Sequence, residues 1–412
     1  MMLMKPMSDR WRHLVFFLAA VFVVVPGQAQ TSPTKTQLRV ALFPYIPDAV
    51  GEKNVEMLAR IEREFEARNP TVDLVLRPLD KINDDFYDEA TLTNWLRTEP
   101  AKGGYDLVEV DTVVLGQLIS LNLVAPWNDP PGMSDWHPVG KAASAVNGKL
   151  YGVPNWLCGH FIFTRDKQIA KAKSVTALLA AFDKADPNIP NLVGDLVGSW
   201  NMPALYLDAW ADTYGTSGVA SAITPTLDPT VMKTFKLFSK QCEIGGKNPC
   251  LGPEFNDNDV SAQEFATGKA DAFLGYSERL NYILRNGGRA GQVRISSAPL
   301  GEGKRPLLFV DVFVLRHDCG ASCQQAASRF AAYMNAPETK EWILMGRDKN
   351  TDAVPRYVIP ATLSAFETPR VKKDDYYRSL RKEIDGGAPY PANGLPAART
   401  AIRNAIVKEL NQ

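Results

Sequence analysis

The chain has 412 residues, 45% hydrophobic and 22% charged, with 46 basic and 46 acidic side chains. That composition is ordinary for a globular protein and excludes collagen-like, coiled-coil and disordered chains. At about 100–200 residues per domain it predicts two to three domains or lobes, and the balanced charge supplies no field for nucleic acid.

The elements follow in chain order. Lys5, Arg10 and Arg12 precede an apolar run from Leu14 to Val25, broken by Pro26. Gly27-Gln-Ala29 then offers small residues before a cut at Gln30, so residues 1–29 read as a secretory signal peptide. The run falls short of the roughly 20 residues that span a bilayer. Residues 30–37 read as a leader, and the mature protein is expected to be periplasmic or secreted, without a membrane segment.

Leu38 to Tyr45 reads as a buried strand. Val55 to Arg68 carries Leu58, Ile61 and Phe65 at helical spacing, stopped by Asn69-Pro70. Val72 to Leu76 alternates as a second strand. A strand–helix–strand unit of this kind points to an α/β fold with a parallel sheet. A strand over Tyr105 to Val110 and a helix over Val113 to Ser120 continue it.

Tyr151 to Arg165 reads as a strand after a Gly/Pro bend, opening a second layer. Helices are expected over Ser174 to Ala185 and ending over Ser261 to Gly268. Ala270 to Glu278 reads as a strand running into a helix start. Val293 to Pro299 and Leu307 to Arg316 read as strands, and Cys323 to Asn335 and Glu338 to Met345 as helices.

Export permits disulfides. Cys242 and Cys250 flank the turn-rich Glu243-Ile-Gly-Gly-Lys-Asn-Pro249, and Cys319 and Cys323 enclose Gly320-Ala-Ser322. Each close couple is expected to pair, which leaves Cys158 alone. His317, Cys319 and Cys323 lack an evident fourth ligand for zinc. Asp80, Asp84, Asp85, Asp88 and Glu89 show no calcium-loop spacing and read as a solvated acidic face.

Cys158 stands between Leu157 and Gly159. It reads either as a small core residue or as a nucleophile, and the second needs a base or positive neighbour. His160, two residues along, would share its face if both lay on one strand. Glu278 reads either as favourable first-turn charge or as a base at a strand end facing a cleft. Asp311 interrupts the apolar run Leu307 to Leu315, so it must be paired or functional.

Phe265-Ala-Thr-Gly-Lys-Ala-Asp-Ala-Phe273, the strand–loop–strand after it and Ala326-Ala-Ser-Arg-Phe-Ala-Ala-Tyr-Met334 resemble periplasmic solute-binding proteins of maltose-binding architecture. The resemblance implies a two-lobed, type II binding-protein fold with a cleft between the lobes. Residues 38–148 with about 300–350 would form lobe 1, and residues 149–299 with about 351–412 lobe 2. A narrower likeness lies in Leu42-Phe-Pro-Tyr-Ile-Pro-Asp48, Tyr105-Asp-Leu-Val-Glu-Val-Asp111, Tyr151-Gly-Val-Pro-Asn-Trp-Leu-Cys-Gly-His160 and Gly275-Tyr-Ser-Glu278. These motifs resemble bacterial thiaminase I, thiamine pyridinylase.

That likeness implies a transferase that replaces the thiazole of thiamine by an amine or thiol. It implies Cys158 as nucleophile and Glu278 as general base, with no metal or organic cofactor. A cationic thiazolium and an aminopyrimidine call for aromatic faces and carboxylates. Tyr45, Tyr87, Trp156 and Tyr276 are the candidate walls, and Glu109, Asp111 and Asp311 the candidate acids. The expected partners are thiamine and a small nucleophile, with the protein a monomer. The rival reading is a non-catalytic binding protein that delivers thiamine or a related small cation to a transporter.

Overall fold

The structure, a computed structural model, describes residues 35–51, 53–79, 88–182, 188–255, 258–303, 306–349 and 351–411. Strand β1 (Thr36–Ala41) lies between β2 (Val72–Leu76) and β3 (Leu107–Asp111), both parallel to it. The helix Val55–Arg68 connects β1 to β2 and buries Met57, Leu58, Ile61 and Phe65 on one face, the stripe its spacing predicts. β1 is shorter than the expected run to Tyr45. Beyond its end the Phe43 N–H leaves the ladder and donates to a Glu109 carboxylate oxygen at 2.8 Å.

β4 (Val124–Ala125) is followed by a small hairpin, β5 (Ala145–Val146) and β6 (Lys149–Leu150). Then come β7 (Val153–Cys158), β8 (His160–Thr164), β9 (Leu192–Val193), β10 (Ala272–Tyr276), β11 (Arg294–Ser297), β12 (Leu307–Arg316), β13 (Ile359–Pro360) and β14 (Ala388–Pro389). An eight-stranded sheet runs β13-β7-β12-β3-β1-β2, with β4 and β14 also paired to β12. A four-stranded sheet runs β11-β8-β10-β9. β12 is buried along its whole length and lies antiparallel between β3 and β7, which explains its near-continuous apolar sequence.

The expected single strand over Tyr151 to Arg165 is two strands in two different sheets, broken at Gly159. A Cβ at Gly159 would come within 2.8 Å of the Leu308 side chain and 3.3 Å of the Leu307 carbonyl oxygen. A side chain there would crowd β12, and glycine lets the chain cross without displacing it. β7 and β13 both pair within the sheet of β1, and the chain passes from that sheet to the four-stranded one at Gly159. The helix Asn201–Tyr214 is buried from Met202 through Ala209, as an internal helix without a polar face would be. The C-terminal helix Leu395–Leu410 packs against it.

Smaller differences lie at element ends. The helix expected over Val113 to Ser120 opens as a 3-10 turn, Thr112–Val114, before Leu115–Ser120. Of the acidic stretch, Asp88 caps the helix Glu89–Arg97 by accepting from the Thr91 N–H at 3.0 Å. Its residues 80–87 lie outside the described residues. Cys242 is bonded to Cys250 and Cys319 to Cys323, with Cα separations of 6.0 and 5.3 Å, and Cys158 is free. Among the described residues no helix is long and apolar enough to cross a membrane.

Candidate active site

Strand register assembles one wall of the site. Asp311 of β12 lies opposite Asp111 of β3 on one side and Trp156 of β7 on the other, and Phe309 lies opposite Cys158. Side chains two apart on a strand share a face, so Trp156 and Cys158 project with Phe309 and Asp311. They line a cavity of about 500 Å³, within the range of roughly 300–1,000 Å³ common for small-molecule sites. Phe43 and Tyr45 extend this wall. The facing wall comes from the loop Asp195 to Asn201, from Tyr276 and Glu278 at the end of β10, and from Arg403 of the C-terminal helix.

Glu278 directly precedes the helix Arg279–Arg285 but makes no side-chain cap to it. Its Oε2 instead lies 3.9 Å from the Cys158 Sγ. Burial pushes the Glu278 carboxyl up, with Arg279 and the Cys158 contact pulling it back. Burial also pushes the Cys158 thiol well up, and the Glu278, Asp311 and Asp111 carboxylates push it further. The resting sulfur is therefore a thiol. Among the described residues the thiol contacts the Glu278 carboxyl, and any cation entering the cavity would offset the acids that oppose the thiolate.

Asp311 is 2% exposed, and its Oδ1 has no hydrogen-bond partner among the described residues. Burial, then Asp111, Glu109 and Glu278, push its carboxyl well above the usual range. Asp111 accepts one bond, from the Val113 N–H at 2.9 Å, and burial pushes it up to about 7. Two such carboxyls on facing strands hold a proton at neutral pH. They offer a heterocycle a hydrogen-bond donor beside an acceptor.

Glu109 does not reach the cavity, contrary to its expected role. It is fully buried, and its oxygens accept from the Phe43 N–H at 2.8 Å and the Asn155 Nδ2 at 2.6 Å. Lys340 sits nearby, donating to the Asn155 carbonyl at 3.0 Å and standing 3.5 Å above the Trp156 ring. Burial pushes Glu109 up and Lys340 well down, each opposed by the other's charge. Trp156 lines the cavity but is 2% exposed. With Lys340 over one face, it serves as floor rather than open aromatic wall.

Tyr45 and Tyr276 do line the cavity, and Tyr45 packs edge-on against Phe43 at 5.3 Å. Tyr87 lies outside the described residues. His160 is not paired with Cys158, because the break at Gly159 puts it in the other sheet, where its Nδ1 lies 2.6 Å from Asp208.

Sequence reasoning missed Asp195 and Asn201. Asp195 Oδ1 accepts the Val197 and Gly198 N–H groups at 2.9 and 2.7 Å, and its Oδ2 accepts the Asn201 amide at 2.8 Å. Asn201 in turn accepts the Tyr276 hydroxyl at 2.6 Å. The signal was Asp195 followed by Gly198-Ser199, a pattern in which the aspartate folds back on its own backbone. Phe309 and Arg403 gave no such signal.

Comparisons agree with this architecture. The thiaminase-1 of Paenibacillus thiaminolyticus is 25% identical over 418 aligned residues, covering 96% of this chain and 94% of that protein. The structure of Clostridium botulinum thiaminase I in complex with thiamin superposes with a TM-score of 0.73 at 20% identity, over 91% of this chain and all of that one. The maltose-maltodextrin-binding protein of Alicyclobacillus acidocaldarius gives 0.62 at 15% identity, over 90% and 95% of the two chains. The fold is thus the mixed α/β, two-lobed fold of binding proteins. Residues 81–376 match the bacterial extracellular solute-binding proteins, and the chain belongs to that family.

Proposed function

We propose that the protein is an exported thiamine pyridinylase, a thiaminase I that exchanges the thiazole of thiamine for an amine or thiol. The observation that carries this reading is the contact between a free thiol and a carboxyl, 3.9 Å apart, in an acid-lined cavity. The likeness to thiaminases over nearly the whole chain supports it. A protein that only binds and releases its ligand has no use for that pair.

In this reading the thiazolium sits against the aromatic faces of Tyr45 and Tyr276, and its charge offsets the surrounding carboxylates. The Cys158 proton passes to Glu278, and the thiolate bonds to the pyrimidine carbon next to the ring nitrogen. The electron pair displaced onto the ring is held by the proton that Asp111 and Asp311 share. That pair then expels the thiazole, which leaves neutral with the electrons of its C–N bond. The incoming amine or thiol adds at the exposed methylene, and expulsion of the thiolate restores the aromatic ring. Glu278 returns its proton to the sulfur. One proton, from the acceptor, is released per turnover of thiamine with a neutral acceptor.

Signal removal after residue 29 would leave a periplasmic or secreted monomer. The rival, a thiamine carrier for a transporter, draws on the membership of the solute-binding family. One experiment separates the two. The protein is incubated with thiamine and an aromatic amine, and the products are read by mass spectrometry. The exchanged pyrimidine supports the enzyme, and intact thiamine overturns it.

A further inference from the structure

His160 and Asp208 lie outside the cavity lining, and the chemistry above uses neither. His160 is 4% exposed and sits directly opposite Tyr276 in the β8–β10 ladder. The two rings lie 4.9 Å apart at 32°. The imidazole Nδ1 is hydrogen-bonded to Asp208 Oδ2, at 2.6 Å. The other ring nitrogen, Nε2, is buried without a partner among the described residues. What the imidazole does contact is the Tyr276 ring on one side and Asp208 at its Nδ1.

Asp208 itself is anchored. It lies on the buried helix Asn201–Tyr214 and also accepts the Tyr390 hydroxyl at 2.8 Å and the Leu307 N–H at 3.1 Å. The same helix begins with Asn201, which takes the Tyr276 hydroxyl. One rigid element therefore holds Tyr276 twice, through the hydroxyl and through the ring face. We infer that Asp208 and His160 are positioning residues that fix the plane of Tyr276 as the substrate-facing wall, and so set affinity for the cationic substrate.

The inference rests on Tyr276 facing thiamine, and a double-mutant cycle on thiamine exchange tests it. His160→Phe keeps a ring but loses its tether, and Asp208→Asn weakens the tether without touching Tyr276. Each is expected to raise KM for thiamine about three- to ten-fold with kcat within about two-fold. In a Tyr276→Leu background His160→Phe should add nothing further. Tyr390→Phe removes a different bond from the same carboxylate, so it should lower the melting temperature and leave KM in place.

The positioning role is overturned if KM is unmoved in His160→Phe, if Tyr390→Phe raises KM equally, or if the His160 and Tyr276 effects multiply. Where Asp208→Asn does not fold, His160→Gln takes its place. A Tyr276→Leu protein with unchanged KM would sink the substrate-facing wall instead. The coupling is then read without substrate, from the Tyr276 ring signal of carbon-13 tyrosine-labelled protein. That signal shifts in Asp208→Asn or His160→Gln if the coupling exists, and an unmoved signal overturns it.

Discussion

Glu109 and Asp311 lie on neighbouring strands of one sheet, both buried and both interrupting apolar runs. Their surroundings differ. Glu109 has two donors on its oxygens and the charge of Lys340 beside it. Asp311 faces another acid and keeps an unpartnered oxygen. A compensated buried carboxylate holds structure together, whereas an uncompensated one carries an unfavourable free energy that a bound proton or a ligand relieves. The pattern of satisfied bonds, not burial, separates the scaffold from the site.

The largest effect lies on the uncompensated side. Cys158→Ser should lower thiamine exchange about 10³-fold or more with the melting curve unchanged. Retained turnover would remove the reason for an acid-lined thiol pocket. Next comes the compensated side. Glu109→Gln should cost about 3 kcal/mol of stability in urea unfolding, because Lys340 loses its counter-charge. The activity of the folded fraction should stay near that of the parent. Adding Lys340→Met should restore part of the loss. A Glu109→Gln protein of full stability but impaired kcat would invert the comparison. Asp311→Asn should do the reverse, lowering kcat/KM about 10²-fold while leaving stability equal or higher.

How far the sequence could make this distinction depends on the range of the interactions. Leu107-Val-Glu-Val-Asp111 and Leu307 to Leu315 each show an acid in an apolar strand, and that much is local. The partners that tame Glu109 come from Phe43, Asn155 and Lys340, which no spacing rule connects. The parallel unit built on Val55–Arg68 was legible because periodicity decides it. The pairing of Cys158 with His160 failed on one residue, Gly159, whose close approach to β12 turns one strand into two. Asp195 and Asn201 lie on aperiodic chain and act through bonds to each other and to Tyr276. The thiol–carboxyl contact joins positions 120 residues apart, and a family likeness, not patterning, pointed to it.

The smallest effect is the most diagnostic of uncompensated charge. Asp111 titrates near the ordinary aspartate value when unfolded and at about 7 when folded. Between about pH 4 and pH 7 the folded state therefore holds a proton that the unfolded state has released. Stability falls as pH rises through that window and levels off above it, opposite to the sign for a salt-bridged carboxylate. Other groups titrate over the same range, so the informative quantity is the difference between parent and Asp111→Asn. That difference should change by about 3 kcal/mol between pH 4 and pH 7, with the variant gaining relative to the parent as pH rises. Urea midpoints at four or five pH values would show it. A flat difference would mean that burial does not hold a proton on Asp111, and the contrast with the donor-satisfied Glu109 would lose its physical basis.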